Sequence, residues 1–206
     1  MLYAVLLAFA VIVVWQRFSD AEKAVAQEAG AATTIYRLTH GLDAGPRMAV
    51  QDRLNGYLES AVAKDWRAME RGRASPEVTR ALDDIYVALL TFTAHDSKGA
   101  VLQAEILHQL DLITQARRER LVLASGTVPG ALWMVLFGGA VLTIGFTLFF
   151  GTENLRAQMM MTGALALLIC SVLLVIIIID HPFAGPVRAL PEPLSGVLED
   201  GHASRP

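Results

Sequence analysis

Residues 128–150 read VPGALWMVLFGGAVLTIGFTLFF without a single charge, and residues 159–179 read MMMTGALALLICSVLLVIIII in the same way. This pair of stretches constrains the fold more than any other feature. At 1.5 Å rise per residue the first stretch extends about 34 Å as a helix, enough to cross a hydrocarbon core about 30 Å thick with some tilt. The link between them, residues 151–158, is short and polar, so the two are expected to form a transmembrane hairpin. The chain is 54% hydrophobic and 18% charged, yet only Glu153 and Arg156 carry charge between residues 128 and 179. Residues 16–127, by contrast, hold 14 of the 17 basic and 15 of the 20 acidic side chains. One stretch suits lipid and another suits water. That excludes a simple soluble enzyme, a disordered tail and a collagen-like chain. Cys170 is the only cysteine, so no intrachain disulfide forms, and a net charge of −3 leaves no electrostatic footprint for nucleic acid.

The first 15 residues, MLYAVLLAFAVIVVW, are apolar but short for a crossing. A secretory signal would carry a positive start and a small-residue cleavage site, and neither is present. The stretch reads instead as the inner part of a transmembrane helix whose outer end is missing or barely covered. Basic residues are concentrated in the middle region, with Arg17 just after the first apolar run and Arg117, Arg118 and Arg120 just before the second. The positive-inside rule places that region and the C-terminal tail in the cytoplasm, with the four arginines at the membrane interface and the loop around Asn154 outside. As written the N-terminus is then outside too, and a further upstream span would reverse that. The expected fold class is all-α: a helical membrane protein of a bacterial inner membrane. Its parts are a clipped first span over residues 1–18, a cytoplasmic helical region over 19–127, a transmembrane hairpin over 128–179 and a cytoplasmic tail over 180–206.

Between residues 16 and 127 no strand-like alternation occurs. Ser19-Asp20-Ala21-Glu22 fits a capping box. It fits a mid-helix position equally, and continuation of the first span to about His40 is preferred, ended by Gly41 and Gly45-Pro46. Val50, Leu54, Tyr57, Leu58, Ala61, Val62, Trp66 and Met69 then form one apolar stripe, closed by Gly72. Ser75-Pro76 opens a third helix in the favoured cap and first-turn positions. A fourth is expected from about Ala100 to Ala124, with Leu102, Ile106, Leu110, Ile113 and Ala116 on one side. Such stripes bury against one another, which gives a helical bundle.

Signals for catalysis are poor. There is no Gly-rich phosphate loop, HExxH, CxxC or GxSxG. His40, His95, His108, His181 and His202 lack metal-ligand spacing, and the adjacent Asp83 and Asp84 point in different directions on a helix. No enzyme activity, cofactor or metal is expected. Small residues say more: Gly138, Gly139, Thr143 and Gly145 in one span, and Gly163, Ala166, Cys170 and Ser171 in the other, permit close helix approach within a subunit or between subunits.

Four segments, in order, resemble the bacterial bestrophin-like family, a family catalogued mostly as a domain of unknown function, and more distantly bestrophins. FAVIVVWQRFSDAEKAV (9–25) is similar to the stretch where the second bestrophin span meets an Arg-aromatic pair. QEAGAATTIYRL (27–38) is similar to a Glu-Ala then Tyr-Arg pattern of the bacterial family. RRERLVLASGTVPGALW (117–133) resembles the basic turn, Thr-x-Pro and aromatic entry of the third span, and DHPFAGPV (180–187), with Asp180, Pro182, Phe183 and Gly185, resembles the Asn-Pro-Phe-Gly turn after the fourth. The resemblance implies one more span before this chain's first, hence four in the full protein with both ends cytoplasmic.

Bestrophins are pentameric anion channels gated by ligand or calcium, and some bacterial members conduct cations. The resemblance therefore implies a homo-oligomer in the lipid bilayer, pentameric by analogy, that conducts an ion of unknown identity. Carried over without gaps from Arg17, the pore neck falls on Met1, Val5 and Phe9, whose apolar rings gate by dewetting. The calcium clasp needs an acidic run after Pro-Phe-Gly. Here Pro186-Val187-Arg188 follows, so calcium gating is not implied. The alternative is a membrane-anchored scaffold or sensor whose helical bundle binds a partner without transport.

Overall fold

The computed structural model describes residues 2–94, 96–125, 128–149 and 155–203, with residues 202 and 203 described by backbone only. Every described element is helical: α1 (Leu2–Thr39), α2 (Ala44–Ser60), a π-helical turn (Ala61–Asp65), α3 (Trp66–Met69), α4 (Pro76–Thr91), α5 (Ser97–Leu123), α6 (Gly130–Phe149), α7 (Leu155–Ile179) and α8 (Glu192–Ala203). They fall into two compact units. One comprises residues 1–19 and 126–188, the other residues 20–125 and 189–206.

In the first, apolar unit, three helices are long and apolar enough to cross a membrane: α1, α6 and α7. Leu7, Ala10 and Val14 on α1 pack with Leu136 and Ala140 on α6 and with Ile169, Leu173 and Ile176 on α7. The hairpin spans differ slightly in length from expectation. Gly130 follows Pro129, which cannot continue a helix toward the N-terminus, and Leu155–Gln158 join α7 because nothing in them breaks it. Half of the expected link therefore becomes helix, while residues 151–154 lie outside the described set. Tyr3 shows why Gly139 is needed. Its hydroxyl donates to the Leu136 carbonyl at 2.8 Å, and a Cβ on Gly139 would sit 2.5 Å from its ring.

The second, charged unit holds the rest of α1 with α2–α5 and α8. The helix α1 does continue past Ser19, through Gly30, to Thr39. It ends in a turn where Gly41 N donates to Leu38 O and Leu42 N donates to Thr39 O, both at 3.0 Å. Its inner face is Ala21, Ala24, Val25, Ala32 and Ile35, small side chains that let neighbours approach closely. Leu54, Leu58, Val78, Ile85, Leu89, Ile106, Leu110 and Ile113 complete the core, each large side chain contributing about 1.5–3 kcal/mol on burial. The third helix starts at Pro76 as expected, but Ser75 makes no side-chain cap bond. Asp96 is the residue that caps with its side chain, accepting from Gly99 N at 2.7 Å to start α5. The tail is not a plain extension of the spans: Glu192–Ala203 form α8, which packs on α2, with Leu194 and Val197 buried and Gly201 against the Tyr36 ring.

Candidate functional site

Two constellations carry the candidate residues. In the apolar unit, Leu7, Ala10 and Val14 occupy the inner face of α1, which leaves Val5 (69% exposed) and Phe9 (66%) on the opposite face with Leu2, Ile12 and Trp15. These spacings of three and four make one continuous apolar stripe that is exposed among the described residues, with the Trp15 ring 6.3 Å from that of Phe18. Met1 lies outside the described residues. Arg17 is half-buried, follows Trp15 and makes no ion pair among the described residues. Of the small residues, Gly139 seats Tyr3, while Gly138, Gly145 and Gly163 have open space where a Cβ would be. A wholly apolar groove of about 480 Å³ runs along α6 between Val141, Leu142, Gly145, Phe146 and Phe149.

The turn after α7 is more ordered than an interfacial charge alone requires. Asp180, the first residue of that turn, is buried and accepts from the Val128 backbone N at 3.0 Å, with His181 Nδ1 at 3.4 Å. Val128 precedes α6, so Asp180 satisfies an orphan donor ahead of that helix from the far end of the hairpin. Pro182 and Phe183 are buried beside it, and Gly185 holds φ at +93°, a conformation that disfavours any side chain.

The charged unit contains a buried ionic network. Arg120 donates from Nε to Glu28 Oε2 at 2.6 Å and from Nη2 to Glu28 Oε1 at 3.0 Å, while the Tyr57 hydroxyl donates to the same carboxylate at 2.5 Å. Arg117 forks onto Asp65 at 2.7 and 3.2 Å and also donates to Ser75 O and Thr79 Oγ1. Asp65 Oδ2 lies 3.8 Å from Arg120, and Asp65 Oδ1 also accepts from Ser75 N at 3.0 Å. Trp66 places its ring 4.5 Å from the Arg120 guanidinium carbon and donates from Nε1 to Ala189 O at 3.2 Å.

Glu28, Asp65 and Arg120 are fully buried and Arg117 nearly so. Removal from water raises the Tyr57 hydroxyl well above its ordinary value, and the Glu28 carboxylate raises it further. Burial works against the charge of Arg120, but Glu28, Tyr57 and Asp65 together more than offset it, and Arg120 is held above its ordinary value. Two cations and two carboxylates balance, and both guanidinium groups direct two nitrogens at carboxylate oxygens. Such an arrangement joins helices and offers no unoccupied acid, base or nucleophile.

Arg117 and Arg120 are therefore not headgroup-facing residues, as their closeness to the second span had suggested. Their spacing explains why: Ile106, Leu110, Ile113, Arg117 and Arg120 share one stripe of α5, and the stripe faces the core. Arg118, one residue out of phase, is exposed and makes no ion pair among the described residues. Glu28, Tyr57 and Asp65 were missed as a site, although the signal was present. Glu28 lies four residues from both Ala24 and Ala32, a carboxylate in the middle of an apolar stripe. Asp65 holds the same kind of place between Ala61 and Met69.

These observations define a class first: an all-α membrane protein, with an apolar three-helix unit and a charged helical unit ordered by buried ion pairs. The chain matches the Bestrophin-like domain over residues 1–194, and it belongs to that family. No curated protein and no solved structure gives a significant match.

Proposed function

We propose that this protein is an oligomeric, bestrophin-like ion channel of the bacterial inner membrane, pentameric as bestrophins are, with residues 16–127 and the tail in the cytoplasm. The observation that carries the reading is the outward stripe of α1, Val5 and Phe9 with Ile12, leading to Arg17 in a chain of the bestrophin-like family. A single copy leaves Val5, Phe9 and Ile12 of that stripe exposed among the described residues. Several copies around an axis would turn it into stacked apolar rings, and the open glycines and groove of α6 offer room for neighbouring helices. The reading involves no catalysis and no resident cofactor. Flux of small anions and cations through liposomes carrying the full-length oligomer tests it. Transport is expected, and Phe9→Ala should change its rate. Absence of flux from a correctly assembled oligomer refutes the channel.

A second reading is favoured by Val87, Leu90 and Val101, which are exposed apolar side chains on α4 and α5. On that reading the charged unit binds a partner protein and the spans only anchor it. Particle symmetry separates the two: a ring with α1 on its axis supports the channel, and a monomer or dimer supports the anchor.

A further inference from the structure

The apolar unit holds a buried carboxylate whose charge is balanced by a group that water can reach. Asp180 follows the last turn of α7, where its backbone N donates to Ile176 O at 2.9 Å, and its side chain is only 6% exposed. Its two oxygens have different partners. Oδ1 accepts from Val128 N at 3.0 Å and so ties the end of α7 to the start of α6. Oδ2 lies 3.4 Å from His181 Nδ1, and the imidazole is 56% exposed.

The turn fixes where that imidazole starts. Ala184 N donates to His181 O at 3.0 Å, Phe183 is buried, and a Cβ on Gly185 would touch Ile178 O at 3.9 Å. The backbone on both sides of His181 is thus held, while the ring stays open to solvent protons.

No other charge among the described residues of the unit takes the same place. Between Val128 and Phe149, α6 carries no titratable side chain. On α7 there are Cys170 and Arg156, the latter 24 residues before Asp180 and so about 36 Å away along the helix axis. The α1 segment brings Tyr3, whose hydroxyl donates to Leu136 O, and the half-buried Arg17. The turn itself adds the exposed Arg188. Neither Arg17 nor Arg188 forms an ion pair with Asp180, whose one such partner among the described residues is His181. A buried carboxylate is costly unless an opposite charge attends it. Histidine is the side chain whose charge ordinarily changes between about pH 5 and 8.

We infer that Asp180 and His181 form a proton-operated clasp at the base of the α6–α7 hairpin. With a protonated imidazole beside Oδ2, the carboxylate keeps its buried place on Val128 N. With a neutral imidazole it is held by one backbone donor and leaves for water more readily. The ion pair exists only with the imidazolium, so the clasp is tight at acid pH and loosens as pH rises through the histidine range. It lies wholly within the apolar unit and does not depend on ion conduction.

Hydrogen–deuterium exchange at the Val128 amide, measured on the full chain in detergent and corrected for the intrinsic pH dependence of exchange, tests the clasp. Wild-type protection should fall roughly two- to fivefold between about pH 5 and 8, the range set by a partly exposed pair. His181→Asn should show the low protection at both ends of that range. His181→Lys, charged throughout, should vary less with pH than wild type. Wild-type protection that does not change with pH overturns the inference, as does a change that survives in His181→Asn. If the Asn variant loses helicity, the Lys variant decides: a pH dependence equal to that of wild type overturns the clasp.

Discussion

The apolar unit and the charged unit use opposite means to choose one packing. In lipid a helix gains nothing by leaving one apolar neighbour for another, so close fit must select the arrangement. Tyr3 over Gly139, and Ala10 and Ala140 in the same core, supply that fit. In water, apolar burial drives association almost without direction. The charged unit adds direction with Glu28, Asp65, Arg117 and Arg120, which are satisfied in one register of α1, the π-helical turn and α5. The difference is between shape and polar pairing as the source of specificity, and it can be attacked from either side.

The largest effect is expected for Arg120→Met. It strands the buried Glu28 carboxylate and should cost about 3–5 kcal/mol, read as a fall in thermal stability by circular dichroism in detergent. Adding Glu28→Leu should recover much of that loss; a double variant as unstable as the single would mean that the pair contributes more than charge compensation. Tyr57→Phe removes the 2.5 Å bond to Glu28 and should cost about 1.5–3 kcal/mol at neutral pH.

The same variant carries a pH signature. The folded protein holds the Tyr57 proton more tightly than the unfolded chain does. Its contribution is complete below the ordinary value of 10.0 and is lost as pH rises toward the elevated one. Wild type should therefore lose stability above that pH more steeply than Tyr57→Phe, and equal slopes would contradict the assignment. Gly139→Ala, which drives a methyl into the Tyr3 ring, should cost about 1–3 kcal/mol. Because it acts on shape, no compensating charge should rescue it. The smallest effect belongs to the exposed Lys64–Glu77 pair, where Lys64 holds the Glu77 carboxyl below its usual range. Lys64→Ala should leave the melting temperature where it is, because water already screens both partners.

Much of this architecture was readable in advance. Uncharged length alone marks α6 and α7, apolar stripes predict α2 and α5, Ser75-Pro76 marks the start of α4, and four ordered segments point to the family. Three things were not. The tail helix α8 is short and gains its stability from α2 and Tyr36, which local sequence does not reveal. The π-helical turn at Ala61–Asp65 adds one residue to a run that otherwise reads as an unbroken stripe. The ionic network was hidden by counting. Arg117, Arg118 and Arg120 look alike as charges near a span, and only their phase on α5 separates two core residues from a surface one. The resemblance to bestrophins implied a neck at Met1, Val5 and Phe9; Met1 lies outside the described residues, and Val5 and Phe9 are exposed on the face of α1 opposite the core residues Leu7, Ala10 and Val14.

The charged unit is also discontinuous along the chain, and synthesis on the ribosome runs in one direction. Ala189, which accepts from the Trp66 indole, emerges 64 residues after Ser125, with α6 and α7 made in between. At about 5–20 residues per second, translation leaves the face that α8 will cover open for several seconds. The nascent chain thus makes α6 and α7 before the residues that complete the charged unit, and synthesis of the apolar hairpin becomes a step in that unit's own maturation.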